Sequence, residues 1–256
     1  MIRFISACLI CVLWACTSPT APGASKESIA QLAPTGKLRV GVYDGSPTSY
    51  VAGVTPRGVA YEMGQKLAKR AGVAFVPMVF PSNEKLYEAF RAGDIDLVFT
   101  NATAVRREFI DFTPTVLGIQ KGYLVRPGSN AKDNAAVDRS GVRIGVSRAS
   151  TTQTELAAIV KNATLVPMAS LEEGVLALEE GRIEAYASNK AILFEMSDKV
   201  PGSRVLDGRW GSEAFAFGIP KGRPAALEYV SKFATEEHDA GGLRMAAERA
   251  GIRGTE

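Results

Sequence analysis

Glu84-Lys-Leu-Tyr-Glu-Ala-Phe-Arg-Ala-Gly-Asp-Ile-Asp-Leu-Val-Phe-Thr-Asn101 carries the reading of the fold. Glu84 to Ala92 spaces its apolar residues like a helix, and Gly93 closes it. Ile95 to Phe99 is an apolar run of strand length. The plan returns 88 residues later (172 − 84), where Glu172-Glu-Gly-Val-Leu-Ala-Leu-Glu-Glu-Gly-Arg-Ile-Glu-Ala-Tyr-Ala-Ser-Asn189 aligns without a gap. Glu84, Ala89, Gly93, Ile95 and Asn101 meet Glu172, Ala177, Gly181, Ile183 and Asn189. Any two helix–glycine–strand units share such a pattern, so an internal duplication and a common local plan both stay open. On either account the chain holds two α/β units.

Working outward, Leu38-Arg-Val-Gly-Val42 reads as a strand. Tyr61 to Lys69 reads as a helix ended by Gly72, with Met63, Leu67 and Ala68 on one face. Phe75 to Phe80 is a further strand. This βαβαβ order predicts a parallel sheet covered by helices. Val142-Arg-Ile-Gly-Val146 opens the second unit as Leu38 to Val42 opens the first. Two strand-like connections, Gln120 to Arg126 and Ala214 to Ile219, join the units. Pro224 to Ala250 reads as helices interrupted at Gly241-Gly242 and lacks the strands for a domain of its own. It therefore returns to the first lobe. The resulting plan has a leader over 1–15, a tether over 16–35 and a first lobe over 36–125. A second lobe is inserted over 126–214, and 215–256 completes the first.

Of 256 residues, 46% are hydrophobic and 22% charged, an ordinary globular balance that excludes a collagen, a coiled coil or a disordered chain. The formal charge is +3, with basic residues scattered, so no nucleic-acid footprint is expected. The three cysteines, Cys8, Cys11 and Cys16, all lie near the start, which excludes a disulfide framework in the body. A single histidine, His238, and the lack of zinc spacing, a P-loop or a dinucleotide fingerprint predict no metal and no cofactor. Phe4 to Ala15 is apolar but too short to span a bilayer, and has the length of a secretory core. It ends Leu13-Trp-Ala-Cys16, which is similar to a bacterial lipobox, although Trp14 stands where a small residue is usual. That similarity implies a lipid on Cys16. Thr17 to Ser28, rich in Ser, Thr, Pro, Ala and Gly, reads as the tether.

Four segments then follow in a recognisable order: Lys37-Leu-Arg-Val-Gly-Val42, Arg57-Gly-Val-Ala-Tyr-Glu-Met-Gly64, Ala92-Gly-Asp-Ile-Asp-Leu97 and Thr103-Ala-Val-Arg-Arg-Glu-Phe-Ile-Asp-Phe-Thr-Pro114. Together they resemble the polar amino-acid type of extracellular solute-binding protein, family 3, the receptor of an ABC importer. The resemblance spans about residues 36 to 253. It implies a type II periplasmic-binding-protein fold, two α/β lobes joined by a two-strand hinge. It further implies a monomer on the periplasmic or cell-surface side, which the lipobox-like end would anchor by lipid to a bacterial membrane and an ordinary cleaved leader would leave secreted. Such a receptor binds a small carboxylate-bearing solute without chemistry and passes it to a membrane permease. An enzyme of the same fold, a dehydratase acting on a prephenate-like acid, is the alternative; it needs a general acid in the cleft.

Ligands of open parallel sheets bind beyond the carboxyl ends of the strands. There the resemblance assigns Arg106 as the clamp of the ligand carboxylate, and a guanidinium fork suits a carboxylate bidentately. Arg107 beside it is expected at the surface. Asn101 and Thr103 occupy positions that add hydrogen bonds. Ser150 and Thr151 open a helix with a capping-box pattern, and that helix start also offers N–H groups to an anion. Tyr43 and Phe80 stand at positions that stack on the ligand. Asn189 departs from the family, which places there an acid that pairs with the ligand ammonium. Either another acid serves, Asp44 being one candidate, or the ligand is not a standard α-amino acid. Gly145-Val-Ser147-Arg-Ala149 nearly matches a hydrolase nucleophile elbow, with Asp198 or Asp207 and His238 following in order. It lacks the second glycine and any oxyanion-hole run.

Overall fold

The computed structural model describes residues 24–255; Cys16, the lipid expected on it and the expected leader lie outside them. In chain order, the first lobe starts with α1 (Lys26–Leu32), β1 (Lys37–Tyr43), α2 (Val59–Ala71), β2 (Ala74–Phe80) and α3 (Asn83–Arg91). It continues with β3 (Leu97–Asn101), the single turn α4 (Ala104–Arg107) and β4 (Ile110–Phe112). β5 (Leu117–Val125) crosses to the second lobe. That lobe holds β6 (Arg143–Ser147), α5 (Thr151–Ile159), β7 (Thr164–Met168) and α6 (Leu171–Glu179), then β8 (Ala185–Asn189), α7 (Lys190–Lys199) and β9 (Arg204–Val205). β10 (Gly211–Pro220) crosses back, and α8 (Pro224–Asp239) and α9 (Gly242–Arg249) complete the first lobe.

The strands run in the order β2-β1-β3-β10-β5-β8-β6-β7, with β4 on β10 and β9 on β5. The parallel trios β2-β1-β3 and β7-β6-β8 face each other across the antiparallel pair β10-β5. Each crossing strand divides its ladder between lobes. β5 pairs β10 up to Lys121↔Gly211, and β8 from Lys121↔Asn189 onward. β10 pairs β3 from Phe215↔Asn101 to Gly218↔Val98.

The alignment of the two quoted segments has a structural counterpart. α3 and α6 begin and end at matching positions of that shift, as do β3 and β8. Their N-caps match too: Ser82 accepts from Lys85 N, and Ser170 from Glu173 N. Gly93 and Gly181, after the two helices, adopt φ of 82° and 67°, where a Cβ would be strained.

Residues expected to be a tether contain α1 instead. Ser25 and Ser28 cap it reciprocally, Leu32 is fully buried, and Gln31 Oε1 accepts from Ala225 N and Ala226 N at the start of α8. Serine that reads as linker composition here supplies the cap. The main core of the first lobe lies under α2, α8 and α9, around Leu38, Val40, Met63, Leu67, Phe217 and Phe233.

Candidate functional site

The carboxyl ends of β1, β3, β6 and β8 converge between the lobes on a cavity of about 60 Å³. Its wall takes Tyr43, Thr100 and Asn101 from first-lobe strands and Ser147, Ser188 and Asn189 from second-lobe strands. Glu213 and Phe215 of crossing strand β10 also line it.

Arg106 enters from α4 and is 8% exposed. Its guanidinium carbon lies 4.6 Å from the centre of the Tyr87 ring. Nη1 donates to Thr100 Oγ1 at 2.7 Å and to Asn101 O at 3.1 Å. Nε and Nη2 have no hydrogen-bond partner among the described residues. One edge of the guanidinium is therefore fixed, and two donors remain unspent. Burial pushes the Tyr87 phenol above its ordinary value, against the opposing pull of the Arg106 charge. Arg107 is exposed, against the Phe112 ring.

Thr103 caps α4 through Arg106 N, 3.4 Å away. It lines a neighbouring compartment of about 420 Å³ rather than the central cavity. Asn101 Oδ1 accepts from Ala214 N at 3.0 Å, and its Nδ2 reaches Thr151 Oγ1 at 3.5 Å. Ser150 caps α5 by accepting from Gln153 N at 3.1 Å, and it lines the cavity. The Gln153 side chain accepts from Ala149 N, one residue earlier than a capping box requires. Thr151 Oγ1 donates to Glu213 Oε1 at 2.9 Å. Asn189 caps α7 through Ile192 N and donates from Nδ2 to Glu213 Oε2 at 2.8 Å. The Tyr43 hydroxyl lies 3.2 Å from Ser147 Oγ, which lies 2.8 Å from the Tyr186 hydroxyl, so a hydrogen-bond chain joins the lobes. Burial pushes the Tyr43 phenol up to about 12.

Two expectations are corrected. Phe80 does not line the cavity: it packs on the core built from Leu86 and Phe90 of α3 and Leu171 of α6. Asp44 is exposed; it accepts from Gly45 N and lines a separate depression beside Leu171 and Met196. The acid in the cavity is Glu213, 8% exposed, which the sequence reading missed. Its signal was available. Residues alternate along a strand, and Glu213 falls on the buried side with Phe215 and Phe217. Beginning the strand at Ala214 left it out. Tyr87 was missed too, as a helical residue indistinguishable from core by spacing.

Lys121 of β5 backs the acid. Its side chain is fully buried, Nζ donates to both Glu155 oxygens at 2.8 and 2.7 Å, and Glu213 Oε1 lies 3.8 Å away. The hydrolase reading has no geometry to support it. Ser147 is held between two tyrosines, while His238 is on the exposed face of α8 beside Asp239. No cluster of three or more metal-ligating side chains occurs among the described residues.

A polar cavity between two α/β lobes, carried on two crossing strands, defines a type II periplasmic-binding-protein fold. The sequence matches the model of the bacterial extracellular solute-binding proteins, family 3, over residues 38–249, and the chain belongs to that family. A protein described as a probable histidine-binding protein of Campylobacter jejuni is 28% identical over 172 residues, 65% of each chain. An ABC transporter glutamine-binding protein of Bacillus subtilis is 22% identical over 141 residues, 54% of this chain and 51% of that one. The match thus spans between half and two-thirds of the length of these curated relatives. The structure of an amino acid ABC transporter substrate-binding protein from Streptococcus pneumoniae bound to L-arginine superposes with a TM-score of 0.78 at 19% identity. That superposition covers 89% of this chain and 99% of the other.

Proposed function

We propose that this chain is the amino-acid receptor of an ABC importer. The observation that carries this reading is the pairing of Arg106, with two unspent donors, and the buried Glu213 carboxylate in one cavity between the lobes. A zwitterion satisfies both: its carboxylate takes the guanidinium fork and its ammonium takes Glu213. Asn101, Ser150, Thr151 and Asn189 hold the frame, and Tyr43 closes it against Ser147. Asn189 no longer argues against an amino group, because it positions the acid instead of supplying it.

Ligand contacts from both lobes favour the closed arrangement, so binding shifts the population toward the form a membrane permease recognises. The family name places such proteins outside the cell. Among the described residues no helix is long and apolar enough to cross a membrane. We extend the reading to a lipid on Cys16, from the Leu13-Trp-Ala-Cys16 pattern; Cys16→Ser is expected to release the protein from membranes.

A dehydratase needs an acid with a proton to give. The carboxyl in this cavity, Glu213, is engaged at both oxygens by Thr151 and Asn189 and backed by Lys121, an arrangement that holds a ligand group in place. A thermal-shift screen of amino acids, keto acids and dicarboxylates tests the reading. A ligand at 100 times its dissociation constant stabilises the fold by about 2.7 kcal/mol. A shift with amino acids alone supports it. A response only to dicarboxylates, or turnover of a prephenate-like acid, sinks it.

A further inference from the structure

The cavity is small. About 60 Å³ is accessible between the lobes, well below the roughly 300–1,000 Å³ of pockets that take larger small molecules. An α-amino acid places its Cα, carboxylate and amino group there, which favours a short side chain, and the aromatic walls are held in place. Tyr43 is tied to Ser147, Tyr87 is tied to Thr100 and stacked on Arg106, and Phe215 packs against Phe99.

The polar inventory is equally specific. Of the hydroxyls around the cavity, Ser46 and Thr48 bond each other, and Ser49 accepts from Tyr43 N. Ser147, Ser150, Thr151 and Thr100 are engaged as described. Two are left over. Thr152, 3% exposed, and Ser188, 6% exposed, line the cavity, and their hydroxyls make no hydrogen bond to any described residue. Both hydroxyl oxygens keep some accessible surface, which leaves them open to a ligand in the cavity. Both come from the second lobe, one from the first turn of α5 and one from the last residues of β8.

Resting on the amino-acid reading above, we propose that the site selects small α-amino acids, with at most about two side-chain heavy atoms, and prefers a side-chain hydroxyl. L-Serine is the size and polarity that fits. Arg106 and Glu213 hold its charged ends, and its hydroxyl completes Ser188 or Thr152. A longer side chain has to leave through the partition that Arg106, Tyr87, Ser150 and Thr151 form with the 420 Å³ compartment. That displaces the groups that bind the charges.

Isothermal titration of the protein with glycine, L-alanine, L-serine, L-glutamine, L-histidine and L-arginine tests this. L-serine is expected to bind at least ten-fold more tightly than any of the last three, and several-fold more tightly than L-alanine. Tighter binding of glutamine, histidine or arginine than of serine overturns the size selection and leaves the amino-acid receptor standing. No response to any amino acid overturns the receptor reading itself. The double variant Ser188→Ala/Thr152→Val then isolates the hydroxyl. Serine affinity is expected to fall about ten-fold while alanine affinity stays within two-fold, which also shows that the variant folds. An equal loss for both ligands overturns the side-chain assignment.

Discussion

Two asparagines meet the crossing strand β10 at Glu213 and its neighbour Ala214. Asn101 and Asn189 occupy matching positions in the two halves, and they reach adjacent residues of β10: one bonds Ala214 N, the other the Glu213 carboxylate. The crossing strand supplies the carboxylate in the cavity, and Asn189 at the end of β8 caps α7 and holds it. Glu213→Gln tests this charge. The amide keeps the size and loses the counter-ion, so an α-amino acid ligand is expected to bind about thirty-fold or more weaker, a cost of about 2–5 kcal/mol for unpairing a desolvated charge. Asp44→Ala, at an exposed position, is expected to leave affinity unchanged; titration calorimetry of both decides whether the acid has been located correctly. Arg106 is the proposed partner of the other end of the ligand. Arg106→Ala is expected to cost about 2–5 kcal/mol of binding, Arg106→Lys to recover only part because it loses the fork, and Arg107→Ala to change little. Silence at Arg106 with loss at Arg107 means the carboxylate docks elsewhere.

At the scale of elements, what was legible in the sequence is what local rules control. Helix stops at Gly93 and Gly181, the glycines in β1 and β6, and the apolar runs between them read directly, because each is decided within a few residues. α1 did not read, because Ser25 and Ser28 are linker-like in composition and helical only through a reciprocal cap and docking on α8. Phe80 and Asp44 were misplaced for another reason. Both sit at a strand's carboxyl end, and which way an end residue turns depends on partners far away in the chain. The mid-strand glycines show the local kind of constraint at work. A Cβ on Gly41 would stand 2.7 Å from Ile95 Cδ1, and one on Gly145 2.6 Å from Ile183 Cδ1. Ile95 and Ile183 are again a matched pair. Gly145 is the tighter case, because the Tyr186 ring lies 2.8 Å from the same point and is itself fully buried against Gly174. Gly145→Ala is therefore expected to destabilise by about 1–3 kcal/mol through overpacking. Denaturant titration checks it, and an unchanged midpoint means the ring has room that the packing denies.

For the whole molecule, the question is whether the lobes stay closed in solution, and Tyr43 reports on it. Its hydroxyl belongs to the first lobe and bonds Ser147 of the second, and burial between them pushes the phenol from about 10 in an unfolded chain up to about 12. The sign follows from which state holds the proton. Above pH 10 the unfolded chain gives up that proton and the folded protein keeps it, so ionisation favours unfolding. The stability tied to the neutral phenol is complete below pH 10 and is lost as pH rises toward 12, to a total of about 2.7 kcal/mol for two units. Tyr123, pushed up to about 12 by burial, adds a similar loss over the same range. Tyr43→Phe removes one of these protons. At neutral pH it is expected to cost about 1 kcal/mol for the hydrogen bond to Ser147. Between pH 10.5 and 11.5 its stability is expected to fall less steeply than the parent's, by about 1.1 kcal/mol per pH unit, the slope of about four-fifths of a proton when the two values lie two units apart. Urea titrations across that window measure the difference. Equal slopes would mean that the Tyr43 phenol ionises as freely in the folded chain as in the unfolded one, which requires water at its hydroxyl and hence lobes that stand apart until a ligand draws them together.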